Sequence, residues 1–298
     1  MLPILLLASC AGHALKEPPA AGGAPLFSFV FDDGNDTDYL IARKIFLSHK
    51  AAMSVAVVTD WINAKGRLTA DQVRELQADG FQILSHTESH PRLTSLTEEE
   101  ADSELAGSKT ALSRLGIEPR GLVYPYNMSN GMVRRIARKY YEFARGGGSM
   151  LNTDATDRYA LHSYSMKHDI ERLRGLIDTA YAEKKWLILY HHQIDVKVWM
   201  TENSRFIPGE EVRFSPSGAT GTYKRDIFIW SYFVPLSGTP MEGDTVTGLS
   251  SGATGFIHSV IYNERQTLED VLGYIQTRYP DMRIVTLEQG LKIMDEGR

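Results

Sequence analysis

From Leu26 onward, short apolar runs alternate with amphipathic segments, which is the rhythm of βα units. Leu26–Phe31 predicts a buried strand, Asp38–Ser48 a helix and Ala52–Val58 a second strand. Thr69-Ala-Asp-Gln72 has the form of a capping box and opens a helix that ends before Gly80. Phe81–Ser85 is a short strand. Thr97-Glu-Glu-Glu100 is a second capping box, and its helix runs to Leu115 and stops at Gly116. Gly121–Tyr124, Tyr141–Arg145 and Trp186–His191 read as strands, with Ile170–Lys184 helical before the last. Thr267–Tyr279 is helical, Arg283–Thr286 a strand and Leu287–Glu296 helical. Seven or eight such units predict a barrel with its functional groups on the loops after the strands. A doubly wound open sheet is the structural alternative.

Asp195–Asn263 breaks this rhythm, being rich in Gly, Ser, Thr and aromatic residues. It holds an internal repeat: Gly209-Glu-Glu-Val212 with Ser217-Gly-Ala-Thr-Gly221 recurs as Gly243-Asp-Thr-Val246 with Ser251-Gly-Ala-Thr-Gly255, 34 positions on. Each copy predicts a β-hairpin, and two copies suit a small two-hairpin module inserted into the α/β domain. The aromatic-rich stretch Ile227–Phe233 is expected to be the core of that insert rather than a sugar-stacking platform. The repeat is similar to Gly-Asp/Glu-x-Val…Ser-Gly-Ala-Thr-Gly repeats of phage tail and other virion proteins. A purely structural hairpin explains it equally well.

The 43% hydrophobic and 23% charged fractions are those of an ordinary globular chain. A net charge of −5 gives no support to a nucleic-acid partner. The single cysteine, Cys10, excludes an intramolecular disulfide framework and any multi-thiolate metal site. It closes an apolar start, Leu-Ala-Ser-Cys, that resembles a bacterial lipoprotein signal, although the apolar run is short and no Lys or Arg precedes it. Ala11–Pro25 suits a tether. The expected organisation is therefore a signal-like start and tether (1–25), an α/β domain (26–194 plus 264–298) and a β insertion (195–263). The expected setting is extracytoplasmic, as a cell-envelope lipoprotein with Cys10 as lipid anchor, or else a phage particle.

Three clusters follow strand ends. Phe31-Asp32-Asp33-Gly34 offers two carboxylates, of which one can bind a metal while the other takes a proton from water. Taken alone, Asp-Asp-Gly is also ordinary turn chemistry. In Ser85-His86-Thr-Glu-Ser-His90, imidazoles four apart share one face of a helical turn and can chelate a divalent ion. Pro91 biases His90 toward a loop or a single turn. Trp186-Leu-Ile-Leu-Tyr-His191-His192 ends in two histidines, and strand alternation lets only one of them point into a site.

The order Phe-Asp-Asp-Gly, Ser-His-Thr-x-x-His, Tyr-Pro-Tyr and a late strand-end His resembles the polysaccharide deacetylase family. That family has the NodB-homology fold and is also classed as carbohydrate esterase family four. The resemblance covers Leu26–Ile194 and resumes at Thr267–Met294. It implies a distorted (β/α)7-type barrel of α/β class, here with a small all-β insertion. Position by position, it implies Asp32 as general base and Asp33, His86 and His90 as metal ligands. The backbone N–H of Tyr126, in Val123-Tyr-Pro-Tyr126, would help hold the oxyanion, and His192, rather than His191, would be the general acid. Two departures stand out. Val123 occupies the place of an arginine that orients the base, with no Asp-x-x-Asp-Trp motif to support one, and Asn127 replaces a common glycine.

The expected function is thus metal-dependent hydrolysis of acetyl groups, chiefly N-acetyl, from an acetylated polysaccharide, an action on carbon–nitrogen bonds other than peptide bonds. Zn²⁺ is the expected ion, and Asp/His₂ ligation also admits Co²⁺, Ni²⁺ or Mn²⁺. Two alternatives stand beside it. One is a glycan-binding or virion-associated adhesin with a degenerate deacetylase core. The other is metal-dependent amide hydrolysis on a small substrate that is not a glycan.

Overall fold

A computed structural model describes residues 25–167 and 169–296. The signal-like start with Cys10, and the tether through residue 24, lie outside them. In chain order the elements are β1 (Leu26–Phe31), α1 (Arg43–Ser48), β2 (Ser54–Val57), α2 (Ala70–Ala78), β3 (Gln82–Ser85), α3 (Glu98–Arg114) and β4 (Gly121–Val123). There follow α4 (Gly131–Tyr140), β5 (Phe143–Arg145), β6 (Tyr164–Ser165), α5 (Ile170–Ala182) and β7 (Trp186–His191). The chain then leaves for β8 (Val196–Glu202), β9 (Glu211–Ser215), β10 (Thr220–Ile227), β11 (Trp230–Ser237), β12 (Thr245–Gly248) and β13 (Thr254–Asn263). It returns for α6 (Glu264–Arg278), β14 (Arg283–Ile284) and α7 (Leu287–Glu296).

The first sheet is parallel, in the order β5-β4-β3-β2-β1-β7-β6, with β14 pairing β1 at its lower end. Its two edges meet through a single parallel bridge, Arg145↔Leu161, whose amides exchange bonds of 2.9 and 3.1 Å across Ala144 and Gly146. The result is the expected distorted (β/α) barrel, pinched where Leu161–Ser165 stands in for a full strand.

β1 is buried on both faces, as its unbroken apolar run requires. Phe27, Phe29 and Phe31 pack outward with Phe46, Leu173, Ile177, Leu268 and Leu272 of the surrounding helices. Leu26 and Val30 face inward with Ala56, Leu84, Val123, Trp186 and Ile188. α7 plugs the barrel floor: a Cβ on Gly290 would stand 2.5 Å from the Trp186 indole, so only glycine permits this approach.

Both capping boxes form, Thr69 with Gln72 and Thr97 with Glu100, each with reciprocal side-chain and backbone bonds. The chain's early helix is a wide π turn over Asp38–Ala42 that runs into α1. α4 is a helix beyond those expected; Met132, Val133, Ile136, Ala137 and Tyr140 recur at helical spacing, and Asn130 caps it by accepting from the Val133 amide at 2.9 Å. α6 begins at Glu264, three residues before the expected start, because Asn263 accepts from the Gln266 amide and caps it there. Among the described residues, no helix is long and apolar enough to cross a membrane.

The inserted segment is not two isolated hairpins. β9–β10 and β12–β13 are hairpins, but β8 and β11 complete a closed antiparallel barrel in the order β10-β11-β8-β13-β12-β9. Val198, Phe214, Tyr223, Phe233, Val246 and Ile257 fill it.

The repeat has a physical purpose within this barrel. Glu210 of the first copy accepts from the amides of Ser250 and Ser251 and from the Ser251 hydroxyl of the second. Asp244 of the second copy accepts from the amide and hydroxyl of Ser217 in the first, at 2.8 and 2.6 Å. Each acid thus clamps the other copy's Ser-Gly-Ala-Thr-Gly turn.

The barrel is tied to the α/β domain at its neck. The Asp195 amide donates to Glu264, the Lys224 ammonium donates to Asp195 and Gln193, and Arg265 donates to the Leu236 carbonyl.

Candidate active site

Asp32, Asp33, His86, Tyr126, Arg145 and His192 come from five different strand ends or the loops just after them, at one mouth of the parallel barrel. β1 stops at Phe31. Asp33 then takes a left-handed backbone, φ 78°, followed by Gly34 at 63°. That reversal brings adjacent carboxylates to one side, which a continuing strand would forbid. Asn35 holds the turn by donating to the Asp32 carbonyl at 3.0 Å and, through its own amide, to Asp38 at 2.9 Å.

His86 directly follows β3 and is buried. Its Nδ1 lies 2.8 Å from the Val123 carbonyl, an acceptor only, so Nδ1 carries the proton and Nε2 presents a lone pair. His90 does not share a helical face with it. Residues 87–90 form a tight turn closed by the His90 amide donating to the Thr87 hydroxyl at 3.0 Å. Thr87 and His90 are both left-handed, with φ 69° and 65°. A β-branched residue there is a true outlier, held by surrounding structure. Tyr126 and Asn127 are left-handed too, so the backbone strain of this loop system gathers at one place.

Asp33, His86 and His90 offer ligand atoms that all lie within 4.8 Å of one another. Asp33 Oδ1 stands 3.4 Å from His86 Nε2 and 3.5 Å from His90 Nε2. That oxygen is buried and accepts no hydrogen bond. A buried carboxylate oxygen without a donor, facing two imidazole nitrogens, fits a divalent cation and little else. Burial opposes ionisation of Asp33, but its histidine neighbours, His86 first, outweigh this and hold its carboxyl below the usual range. Burial, reinforced by His86, lowers the His90 pKa.

Asp32 is nearly buried and forms an ion pair with Arg145, whose side chain is wholly buried. Arg145 also donates to Asn127, and its guanidinium lies 5.0 Å from the centre of the Tyr190 ring. A guanidinium thus reaches Asp32 although position 123 is a valine. Arg145 is the register partner of Val123 on the adjacent strand, so its guanidinium enters from one strand further along. The same arginine joins Asp32 to the loop that bears Tyr126, and Asn127 stands where it can receive it.

At the end of β7 the two histidines diverge. His191 is buried, its Nε2 3.2 Å from Glu264 and its ring edge-on to Phe31. His192 packs edge-on to Tyr190; burial lowers its pKa, while the negative charges of Asp32 and Asp33 pull it back up. An aromatic wall flanks the mouth. Trp61, His90 and Tyr126 lie in sequence with ring centres 5.2 and 4.9 Å apart, capped by Arg67 over Trp61 and Arg92 over Tyr126. Sequence reasoning missed Arg145, Trp61, Arg67 and Arg92. Only Arg145 carried a signal, as a charged residue ending an otherwise buried strand. Among the described residues, the remaining histidines have partners: His49 bonds Gln276, His162 the Gly147 carbonyl and His258 Thr201.

Comparison with known proteins bears on this cluster. Chitin deacetylase 3 of Cryptococcus neoformans is 28% identical over 196 residues, which is 63% of this chain and 45% of that protein. The chain spans less than half the length of the curated relatives it matches first. Among solved structures, the Streptococcus pyogenes deacetylase PplD in complex with acetate aligns with a TM-score of 0.44 at 24% identity, over 45% of this chain and 62% of that one. A mutant of peptidoglycan deacetylase PdaC from Bacillus subtilis aligns with a TM-score of 0.48 at 10% identity, over 92% and 93% of the two chains. Residues 21–141, the stretch that carries Asp32, Asp33, His86, His90 and Tyr126, match the family model for polysaccharide deacetylase.

Proposed function

We propose that the protein is a metal-dependent deacetylase that hydrolyses acetyl groups, chiefly N-acetyl, from a polysaccharide. The observation that carries this reading is the convergence of the orphaned Asp33 oxygen with His86 and His90, beside a second carboxylate held by a buried arginine. The polysaccharide deacetylase match over residues 21–141 supports the substrate class.

In this reading Asp33, His86 and His90 hold the ion. A divalent cation there supplies Lewis acidity to an acyl carbonyl and to the attacking water; Zn²⁺ suits the donor set best, and Co²⁺, Ni²⁺ or Mn²⁺ are admitted. Asp32 takes the proton from the water as it attacks. Arg145 aims Asp32, pairing with its carboxylate from a wholly buried position. The Tyr126 N–H donates to the developing oxyanion, an effect of about 3–4 kcal/mol in comparable acyl chemistry. His192 gives a proton to the departing sugar nitrogen. The adhesin alternative needs none of these groups to remain assembled, so the intact set speaks against it.

The test is acetate release from acetylated polysaccharides, with chitin and an O-acetylated glycan in parallel, before and after chelation and divalent-metal return. Release that depends on metal supports the proposal. Metal-independent release, or none from any glycan by metal-loaded protein, contradicts it.

A further inference from the structure

The outer face of the inserted barrel bears a row of aromatic rings that the chemistry above does not use. Strand alternation points Lys197, Trp199 and Thr201 of β8 outward while Val196, Val198 and Met200 fill the core. Trp230 of β11 is the register partner of Trp199, and Tyr232 that of Lys197. On the other side β13 contributes Phe256, the partner of Thr201, and His258 at a bulge. This corrects the expectation for Ile227–Phe233: Ser231 and Phe233 are core, but Trp230 and Tyr232 face outward and Phe228 at the hairpin tip is 96% exposed.

The rings brace one another. Trp199 lies against His258 with centroids 4.7 Å apart at 37°, and His258 is wedged edge-on to Phe256 at 5.2 Å. Trp199 and Phe256 are 44% and 46% exposed, as expected when one face is supported and the other open. Each ring has a polar neighbour: the Lys197 ammonium stands 4.6 Å from the Trp230 ring centre, and Thr201 Oγ1 lies 3.2 Å from His258 Nε2.

We infer that this row is a stacking platform for the acetylated polysaccharide itself, gripping the polymer outside the catalytic mouth. The inference rests on the deacetylase reading for its ligand. A pyranose ring has an apolar C–H face and a hydroxyl rim, which match flat rings bordered by hydrogen-bonding groups. The platform is also tied to the site along the chain, since β8 follows β7 by way of His192. Trp199 lies seven residues beyond His192, a separation of at most about 25 Å even in a fully extended chain. One polymer strand can span both.

The experiment uses the full chain and chitin as the probe. Wild type, Trp199→Ala, Trp199→Phe and Phe228→Ser are compared for retention on chitin, for kinetics on chitin and on a short soluble N-acetylglucosamine oligomer, and for thermal midpoint. Trp199→Ala is expected to weaken chitin retention about tenfold, the scale of a single aromatic anchor. It should raise KM on chitin, leave oligomer turnover unchanged and be largely rescued by Trp199→Phe, while Phe228→Ser binds normally. Wild type that passes chitin unretained, or folded Trp199→Ala that is retained fully, overturns the inference. So does Trp199-dependent sedimentation with phosphatidylglycerol vesicles. Chitin retained through Trp199 without acetate release leaves the platform standing and defeats the deacetylase reading; acetate release with normal binding by Trp199→Ala does the reverse.

Discussion

Arg145 and Asp32 form a buried ion pair across the mouth of the barrel, with Arg145 reaching in from the strand beside the one that carries Val123. The arrangement places a permanent positive charge against the proposed base without using position 123. It also makes Asp32 and the Tyr126 loop one mechanical unit, because the same guanidinium donates to Asn127.

Arg145→Met therefore leaves an uncompensated carboxylate in a buried place. The expected cost is about 3–5 kcal/mol of stability. Acetate release should fall about 10–100-fold. Metal content should stay at the wild-type level, since the ligands are elsewhere. Arg145→Lys should not restore activity, because one ammonium cannot reach both Asp32 and Asn127 in fork geometry.

The two histidines at the end of β7 give opposite expectations. His192→Asn should lower kcat on an acetylated glycan by about 10²–10⁴-fold, the range for a lost general acid, with the thermal midpoint little changed. His191→Asn should act on stability, because His191 is buried against Glu264 and Phe31 and turned away from the carboxylates. Matched denaturation and kinetic measurements separate the two.

Glu264 ties acid stability to the junction between the domains. Burial raises its pKa, but the neighbouring His191 and the Asp195 backbone amide that donates to it outweigh this and hold it below the usual glutamate range. A depressed carboxyl contributes stability above its unfolded value of about 4.3–4.5, and that contribution is lost as pH falls through the folded value. Denaturant midpoints of wild type and Glu264→Gln should differ at pH 7 and converge below about pH 4. A difference that persists in acid would contradict the pairing.

Asp244 and Glu210 hold the inserted barrel by reciprocal grips on the two Ser-Gly-Ala-Thr-Gly turns. Asp244→Ala leaves the Ser217 and Met241 amides without an acceptor, and should destabilise the barrel by about 1–3 kcal/mol. Glu210→Ala should do the same from the other side. Proteolytic nicking confined to residues 196–263 reports it, with the α/β domain left intact.

Much of this was legible before any coordinates. β1 shows as an unbroken apolar run because parallel strands are buried on both faces, and the two capping boxes name their helices' first residues. Asp32, Asp33, His86 and His90 stand just after strands, so local order alone brought them together. Arg145 was not visible because its role depends on register between β4 and β5, a property of two strands 22 residues apart. Barrel closure of the insert was equally hidden. The hairpins are local, but β8 pairs with β13 across more than fifty residues of chain. The outward turn of Trp230 follows from that pairing, whereas aromatic content by itself suggested a core.

The most direct test measures bound divalent metal and acetate release on the same preparations of wild type, Asp32→Asn and Asp33→Ala. Wild type should bind one equivalent per chain and release acetate. Asp32→Asn should keep its metal while release drops to background, and Asp33→Ala should lose both. Full metal loading with undiminished release by Asp32→Asn, or full loading by Asp33→Ala, would contradict the account.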